Sequence, residues 1–201
     1  MARREHGLAT SEKGEPISPT PPPLPQVLSR ETLHKGKKFD FERLTVRQPS
    51  GRTMQREVVR HPGAVVIVPV LPSGRVVLIR VFRIALERMS IECCAGTIEP
   101  RGEDPAACAA RELIEETGYR AGTLAPLGAF NTSPGLSDEL MHPFVATSLT
   151  HVGQHLEEDE HIEVFDVAAT EAFRMIEVGD IRDAKSMLAL LLARARGHLT
   201  P

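Results

Sequence analysis

Glu112, Glu115 and Glu116 stand at i, i+3 and i+4 of the stretch Arg111-Glu112-Leu113-Ile114-Glu115-Glu116. On a helix that spacing turns three carboxylates to one side, within a few ångströms of one another. Like charges that close repel, and an ordinary solvated helix would intersperse Lys or Arg among them. Here the nearby cation is Arg111, on the flank of the cluster, with Glu103 upstream of the Ala-rich stretch. The arrangement implies a missing positive partner. Oxygen-only ligands, with no His or Cys among them, suit hard Mg²⁺, with Mn²⁺ as a substitute. Mg²⁺ typically shares its coordination between one or two carboxylates and substrate phosphates, which points to phosphate chemistry. For the E-x-x-E-E fragment alone, a plain acidic helix face is the competing reading.

The carboxylates need a helix to carry them, and its ends are marked. Asp104 can act as N-cap, Pro105 fits the first helical position and Gly118 is poised to end the helix, so a helix over Pro105 to Thr117 is predicted. Upstream lie short runs of strand character, FDFERLTVRQ, TMQREVVRH, AVVIVPVL and RVVLIRVFRI, separated by the turns Pro49-Ser50-Gly51 and Leu71-Pro72-Ser73-Gly74. Hairpins are expected at both turns. Ala64 to Leu71 is almost wholly apolar, as in a strand buried on both faces. Further helices are predicted near Thr170 to Glu177 and near Asp183 to Arg196, where Met187, Leu188, Leu191 and Leu192 recur at helical spacing. Residues 1–28, which hold the proline-rich run from Ser18 to Pro25, read as a flexible extension, and residues 29–201 as one catalytic domain.

With 41% hydrophobic and 25% charged residues, the chain has the make-up of a globular protein able to bury a core. A formal charge of −3 supplies no basic footprint for a polyanion, so no nucleic-acid partner is expected. No stretch is long and apolar enough for a membrane span, and the N-terminus lacks a signal-peptide apolar core. Cys93, Cys94 and Cys108 form no C-x-x-C pair, and a reduced, cytoplasmic setting is the expectation.

The segment from Ala95-Gly96 to Gly118-Tyr119 resembles the Nudix box, G-x5-E-x7-R-E-U-x-E-E-x-G-U, in which U is apolar. From Glu103 through Arg111, Glu112, Leu113, Glu115, Glu116 and Gly118 the match is complete, and Tyr119 strains the last apolar slot. One departure precedes the helix: six residues, not five, separate Gly96 from Glu103, an extra loop residue around Pro100-Arg101-Gly102. A loop tolerates such an insertion without shifting the helical register. The resemblance implies an α/β fold, the Nudix-type α/β/α sandwich with a mixed central sheet, plus N-terminal strands. It makes Glu112 and Glu116 the chief metal ligands, with Glu115 and the Ala95 carbonyl completing or orienting the cluster. Gly96, Glu103, Arg111 and Gly118 have structural roles in the box.

Features outside the box are similar to the ADP-ribose pyrophosphatase branch of that family. Ser133-Pro134-Gly135 follows the box at the distance the branch uses, with Pro134 fifteen residues beyond Tyr119. Arg56-Glu57 resembles the strand that approaches the nucleotide. Arg80 and Arg83 fall near a V-R-Q-x-R-like strand whose guanidinium forks suit a diphosphate, Arg80 being the first choice. The acidic run after Leu156 is similar to the loop that supplies the branch's general base, with Glu158 first and Glu160 second. The closing helix with Lys185 is read as packing. The resemblance implies a nucleotide-sugar substrate, ADP-ribose giving AMP and ribose 5-phosphate, with GDP-mannose as the alternative and a non-catalytic nucleotide-sugar sensor as a reading from another class. It also implies a homodimer built through the N-terminal strands within 29–62. Phe39, Phe41, Phe130 and Phe144 are the aromatics available for base stacking.

Overall fold

The computed structural model describes residues 23–156 and 160–200. Most of the proline-rich extension therefore lies outside the described residues, as does Glu158. Three N-terminal strands, β1 (Gln26–Lys35), β2 (Asp40–Arg47) and β3 (Thr53–Arg60), pair in that order. β2 and β3 form the hairpin expected at Pro49-Ser50-Gly51, with Gly51 at φ 85° and its N–H donating to the Gln48 carbonyl. The chain divides into two compact units, the smaller drawn from Met1–Glu31 and Arg43–Arg56, with Leu44 as a buried apolar side chain.

The larger unit, Thr32–Glu42 with Glu57–Pro201, holds the remaining elements. These are β4 (Ala64–Pro69), β5 (Val76–Arg83), β6 (Arg88–Glu92), β7 (Ala95–Thr97), α1 (Pro105–Thr117), β8 (Tyr119–Pro126), β9 (Phe130–Asn131), β10 (Leu140–His151), β11 (Ile162–Val167), α2 (Ala169–Glu177) and α3 (Ala184–Ala195). A five-stranded sheet runs β7-β4-β10-β8, with β9 on β10. It is mixed, because β4 and β10 are parallel while its other pairs are antiparallel. A second, antiparallel sheet runs β11-β5-β6.

Every residue of β4 is buried, and its alternation feeds two cores. Ala64, Val66 and Val68 pack with Phe173 of α2 and Leu190 and Ala193 of α3. Val65 and Ile67 pack with Cys108, Ala109 and Leu113 of α1. Helices cover both faces of the mixed sheet, which is the α/β/α sandwich expected.

The helices fall close to their predicted ranges, α1 with both bounds as expected and α2 and α3 within one residue. Asp104 occupies the N-cap of α1 in extended conformation but makes no side-chain cap bond. Gly118 ends it at φ 74°, with its N–H on the Ile114 carbonyl. Asp183 caps α3 by accepting from the Ser186 N–H. One expectation is corrected. The Leu71-Pro72-Ser73-Gly74 turn closes, with the Gly74 N–H on the Leu71 carbonyl, yet β4 and β5 do not form a hairpin. Both edges of β4 are taken by β10 and β7, so beyond a single bridge from Val70 to Val76 the chain passes into the other sheet.

Candidate active site

The C-terminal half of α1 forms one wall of a cleft of about 780 Å³. The last turn of the helix leaves carbonyls without intrahelical partners, and these must be met elsewhere. Segment 152–155 meets them. His155 N–H donates to the Glu115 carbonyl, the Gln154 amide to the Glu116 carbonyl, and Val152 N–H to the Gly118 carbonyl at 2.7 Å. A side chain at Gly118 would bring its Cβ to 2.9 Å from the backbone of Gly153 and Gln154, so glycine serves both the positive φ and this close approach. The docking holds the start of the acidic loop against the helix, and His155 and Glu160 line the cleft.

Four box side chains form one ionic cluster. Arg111 Nη1 donates to Glu112 Oε1 at 2.7 Å and to Glu115 Oε2 at 2.8 Å, while Nη2 reaches Glu103 Oε2 at 3.3 Å. Glu116 is 6% exposed and takes the Ala95 N–H on Oε2 at 2.9 Å. Burial pushes the Glu116 carboxyl up to about 8; the Ala95 amide opposes the rise and the neighbouring Glu112 charge adds to it. Glu112 is raised as well, by burial first, then by Glu115 and Glu160, against the pull of Arg111. Gly96 makes room for this cluster: a Cβ there would lie 1.9 Å from the Glu112 carboxyl carbon.

A second ionic cluster lies on the same cleft. Arg83 grips Glu92 through two bonds, Nε to Oε1 at 2.9 Å and Nη2 to Oε2 at 2.7 Å, and Lys185 also donates to Glu92 Oε2. Lys185 reaches Asp183 too, at 2.8 Å. Burial alone would raise the Glu92 carboxyl, but the Arg83 hydrogen bonds and the Lys185 charge outweigh it and hold the group at about 2. Ser186 Oγ accepts the Cys93 N–H at 2.8 Å, so the first turn of α3 is bonded to the link between β6 and β7 that leads to Ala95. Arg83, Asp183 and Lys185 line the cleft.

Of the residues predicted from sequence, the structure brings Ala95, Gly96, Glu112, Glu115, Glu116, Arg111, Arg83 and Glu160 to one cleft. Arg80 is elsewhere, paired with Glu163 and lying 5.4 Å from the centre of the Phe165 ring. Ser133, Pro134 and Gly135 sit on an exposed loop bonded to β3, where the Val59 N–H donates to the Leu136 carbonyl. Their neighbours Thr132 and Glu139 line the cleft in their place. Arg56 and Glu57 are exposed on β3. Among the aromatics Phe130 lines the cleft and Phe144 is core. Cys93, Cys94 and Cys108 are free and buried.

Glu92 carries no motif that marks it as a site residue, and Lys185, expected to serve packing, instead bonds to it and lines the cleft. Two signals were available. An acid inside the apolar run Ile91-Glu92-Cys93-Cys94 must find a cation if the strand is buried. A lysine in the first turn of a helix runs against the helix dipole, and so needs a partner of its own.

As they stand, no trio of His, Cys, Asp or Glu among the described residues is drawn together as a metal cluster, since Glu112 and Glu115 turn to Arg111 and Glu116 to an amide. The donor set nevertheless fits a hard divalent cation. Its ligands are oxygen only, and Glu112 and Glu116 are carboxylates whose ionised forms burial disfavours, which a cation bound between them would offset.

A NUDIX domain profile matches residues 59–190. The chain is 39% identical over 167 residues to the ADP-ribose pyrophosphatase of Bacillus subtilis (strain 168), covering 82% of this chain and 90% of that protein. It is 38% identical over 159 residues to the GDP-mannose pyrophosphatase of Cronobacter sakazakii, covering 70% and 82% respectively. Among solved structures it is similar to an ADP compounds hydrolase, with TM-score 0.75, 25% identity, and coverage of 87% of this chain and 97% of that one. The chain belongs to the Nudix family. It is a Nudix pyrophosphohydrolase.

Proposed function

We propose that this enzyme hydrolyses the pyrophosphate bond of ADP-ribose, or of a closely related nucleoside diphosphate sugar, with Mg²⁺ held chiefly by Glu112 and Glu116. The observation that carries the reading is a cleft lined by the acidic face of α1 and by Arg83 and Lys185, in a chain similar along most of its length to an ADP-ribose pyrophosphatase. When bound, a divalent cation would neutralise diphosphate oxygens and lower the pKa of the attacking water. Arg111 and Glu103 brace the ligand helix. Arg83, oriented by Glu92, turns a guanidinium to the cleft where a diphosphate carries its charge. Glu160 takes the proton as water oxygen bonds to one phosphorus and the bridging P–O bond breaks, leaving AMP and ribose 5-phosphate. Glu158 is the other candidate for that base. A carboxylate on a loop has the freedom that proton transfer needs.

GDP-mannose is the second reading, favoured by the similarity to GDP-mannose pyrophosphatase. The resemblance supports a homodimer through the N-terminal strands, which light scattering would test. Three free thiols accord with a reducing compartment. The deciding experiment compares AMP release from ADP-ribose with GMP release from GDP-mannose under Mg²⁺. A kcat/KM at least tenfold higher for ADP-ribose, about 1.4 kcal/mol, supports the first reading, and the reverse order moves the substrate to GDP-mannose.

A further inference from the structure

Four cations line the cleft: Lys38, Arg83, Arg111 and Lys185. Three are already engaged, Arg83 by Glu92, Arg111 by Glu103, Glu112 and Glu115, and Lys185 by Glu92 and Asp183. Lys38 has no ion pair or hydrogen bond among the described residues. It stands on the turn between β1 and β2, where the Gly36 N–H donates to the Phe39 carbonyl at 3.1 Å, a contact so tight that a Cβ at Gly36 would meet that oxygen at 2.3 Å.

Two residues on, Asp40 accepts from Arg101 Nη2 at 3.3 Å. Arg101 belongs to the loop that carries the additional residue before Glu103, a loop closed by the Glu103 N–H on the Pro100 carbonyl. The longer loop thus reaches the strand end beside Lys38. Two residues further along β2, Glu42 is bonded to Arg60 at 2.8 Å, a second tie on the same strand end.

We propose that Lys38 is a substrate-binding residue that contacts the non-bridging oxygens of the diphosphate, and that the Arg101–Asp40 pair positions it. The proposal rests on the diphosphate-cleaving function above and adds a cation that the box and the branch motifs do not contain. Its physical basis is availability. Arg83, Arg111 and Lys185 already spend donors on carboxylates, whereas a solvated ammonium on a flexible stem keeps all three of its donors for a phosphate. A second basis is charge: Glu99, Glu139 and Glu160 also line the cleft, and an anionic ligand entering it gains most from a cation that is not already neutralised.

The test titrates wild type, Lys38→Met, Lys38→Arg and Arg101→Ala with α,β-methylene ADP-ribose under Mg²⁺ by calorimetry, the P–C–P bridge preventing turnover. Adenosine serves as the phosphate-free control. Lys38→Met is expected to weaken analogue binding about tenfold, Lys38→Arg by less than about threefold and Arg101→Ala by about threefold, with adenosine binding alike in all four and the losses shrinking in high salt. Lys38 is exposed, so the melting temperature should not move. A Lys38→Met protein that binds the analogue like wild type, or that loses analogue and adenosine equally, overturns the assignment. Wild type is assayed separately on ADP-ribose. Tight analogue binding without cleavage sinks the hydrolase reading and leaves Lys38 standing; cleavage with an unchanged Lys38→Met affinity sinks Lys38 alone.

Discussion

Replacing Glu92 with Gln keeps the shape of the side chain and removes a charge that is 2% exposed and bonded to both Arg83 and Lys185. The magnitude follows from the carboxyl itself. Its ordinary value of 4.5 falls to about 2 in the fold, a difference worth about 3 kcal/mol at 1.36 kcal/mol per unit. Removing one partner of a buried ion pair costs about 3–5 kcal/mol by a separate route, which agrees. The sign is that of a depressed acid. The contribution is complete above about 4.5 and fades as pH falls toward 2, since the unfolded chain then takes up the proton first. Urea unfolding of wild type and Glu92→Gln, followed by circular dichroism, should therefore differ by about 3 kcal/mol at pH 7 and by about 1 kcal/mol at pH 3. Subtracting the two proteins cancels the other carboxylates. A gap below about 1 kcal/mol at pH 7, or one that stays constant down to pH 3, would refute the view that Glu92 is ionised and held by its two cations.

Two further outcomes are expected. Gly96→Ala must push the Glu112 carboxylate away from a Cβ that would otherwise sit 1.9 Å from it. Because the carboxylate is the free end of a side chain, thermal melting should shift by only a few degrees while kcat/KM drops about a hundredfold, and equal activity would show that Glu112 need not occupy that position. Glu160→Gln should lower kcat by about 10²–10⁴-fold with KM nearly constant if Glu160 is the base; an unaltered kcat, set beside a large loss in Glu158→Gln, transfers the role to Glu158.

The parts of this enzyme that the sequence displayed are those with local causes. Pro105 and Gly118 bound α1 because one tolerates the first helical turn and the other adopts φ 74°. Glu112 and Glu116 share a face because the helix has a fixed pitch, and the unbroken apolar run of β4 declares two buried faces. What was hidden depends on distant partners. The Glu92–Lys185 contact spans 93 positions, and nothing in either neighbourhood names the other. Arg80 and Arg83 are an odd number of residues apart on β5 and so face opposite ways; their spacing alone could not tell which one meets the cleft. The β4–β5 turn carried good local chemistry, yet the pairing was decided by β10 and β7, which compete for the edges of β4.

Metal-dependent cleavage at the acidic face of α1 is the central claim, and AMP release from ADP-ribose, with Mg²⁺ and with chelator, tests it most directly in wild type and Glu116→Gln. Wild type should release AMP rapidly under Mg²⁺ and lose that release in chelator, and the variant should fall about a thousandfold under Mg²⁺ with the fold retained. Release that persists in chelator, or a Glu116→Gln rate within about tenfold of wild type, would contradict it.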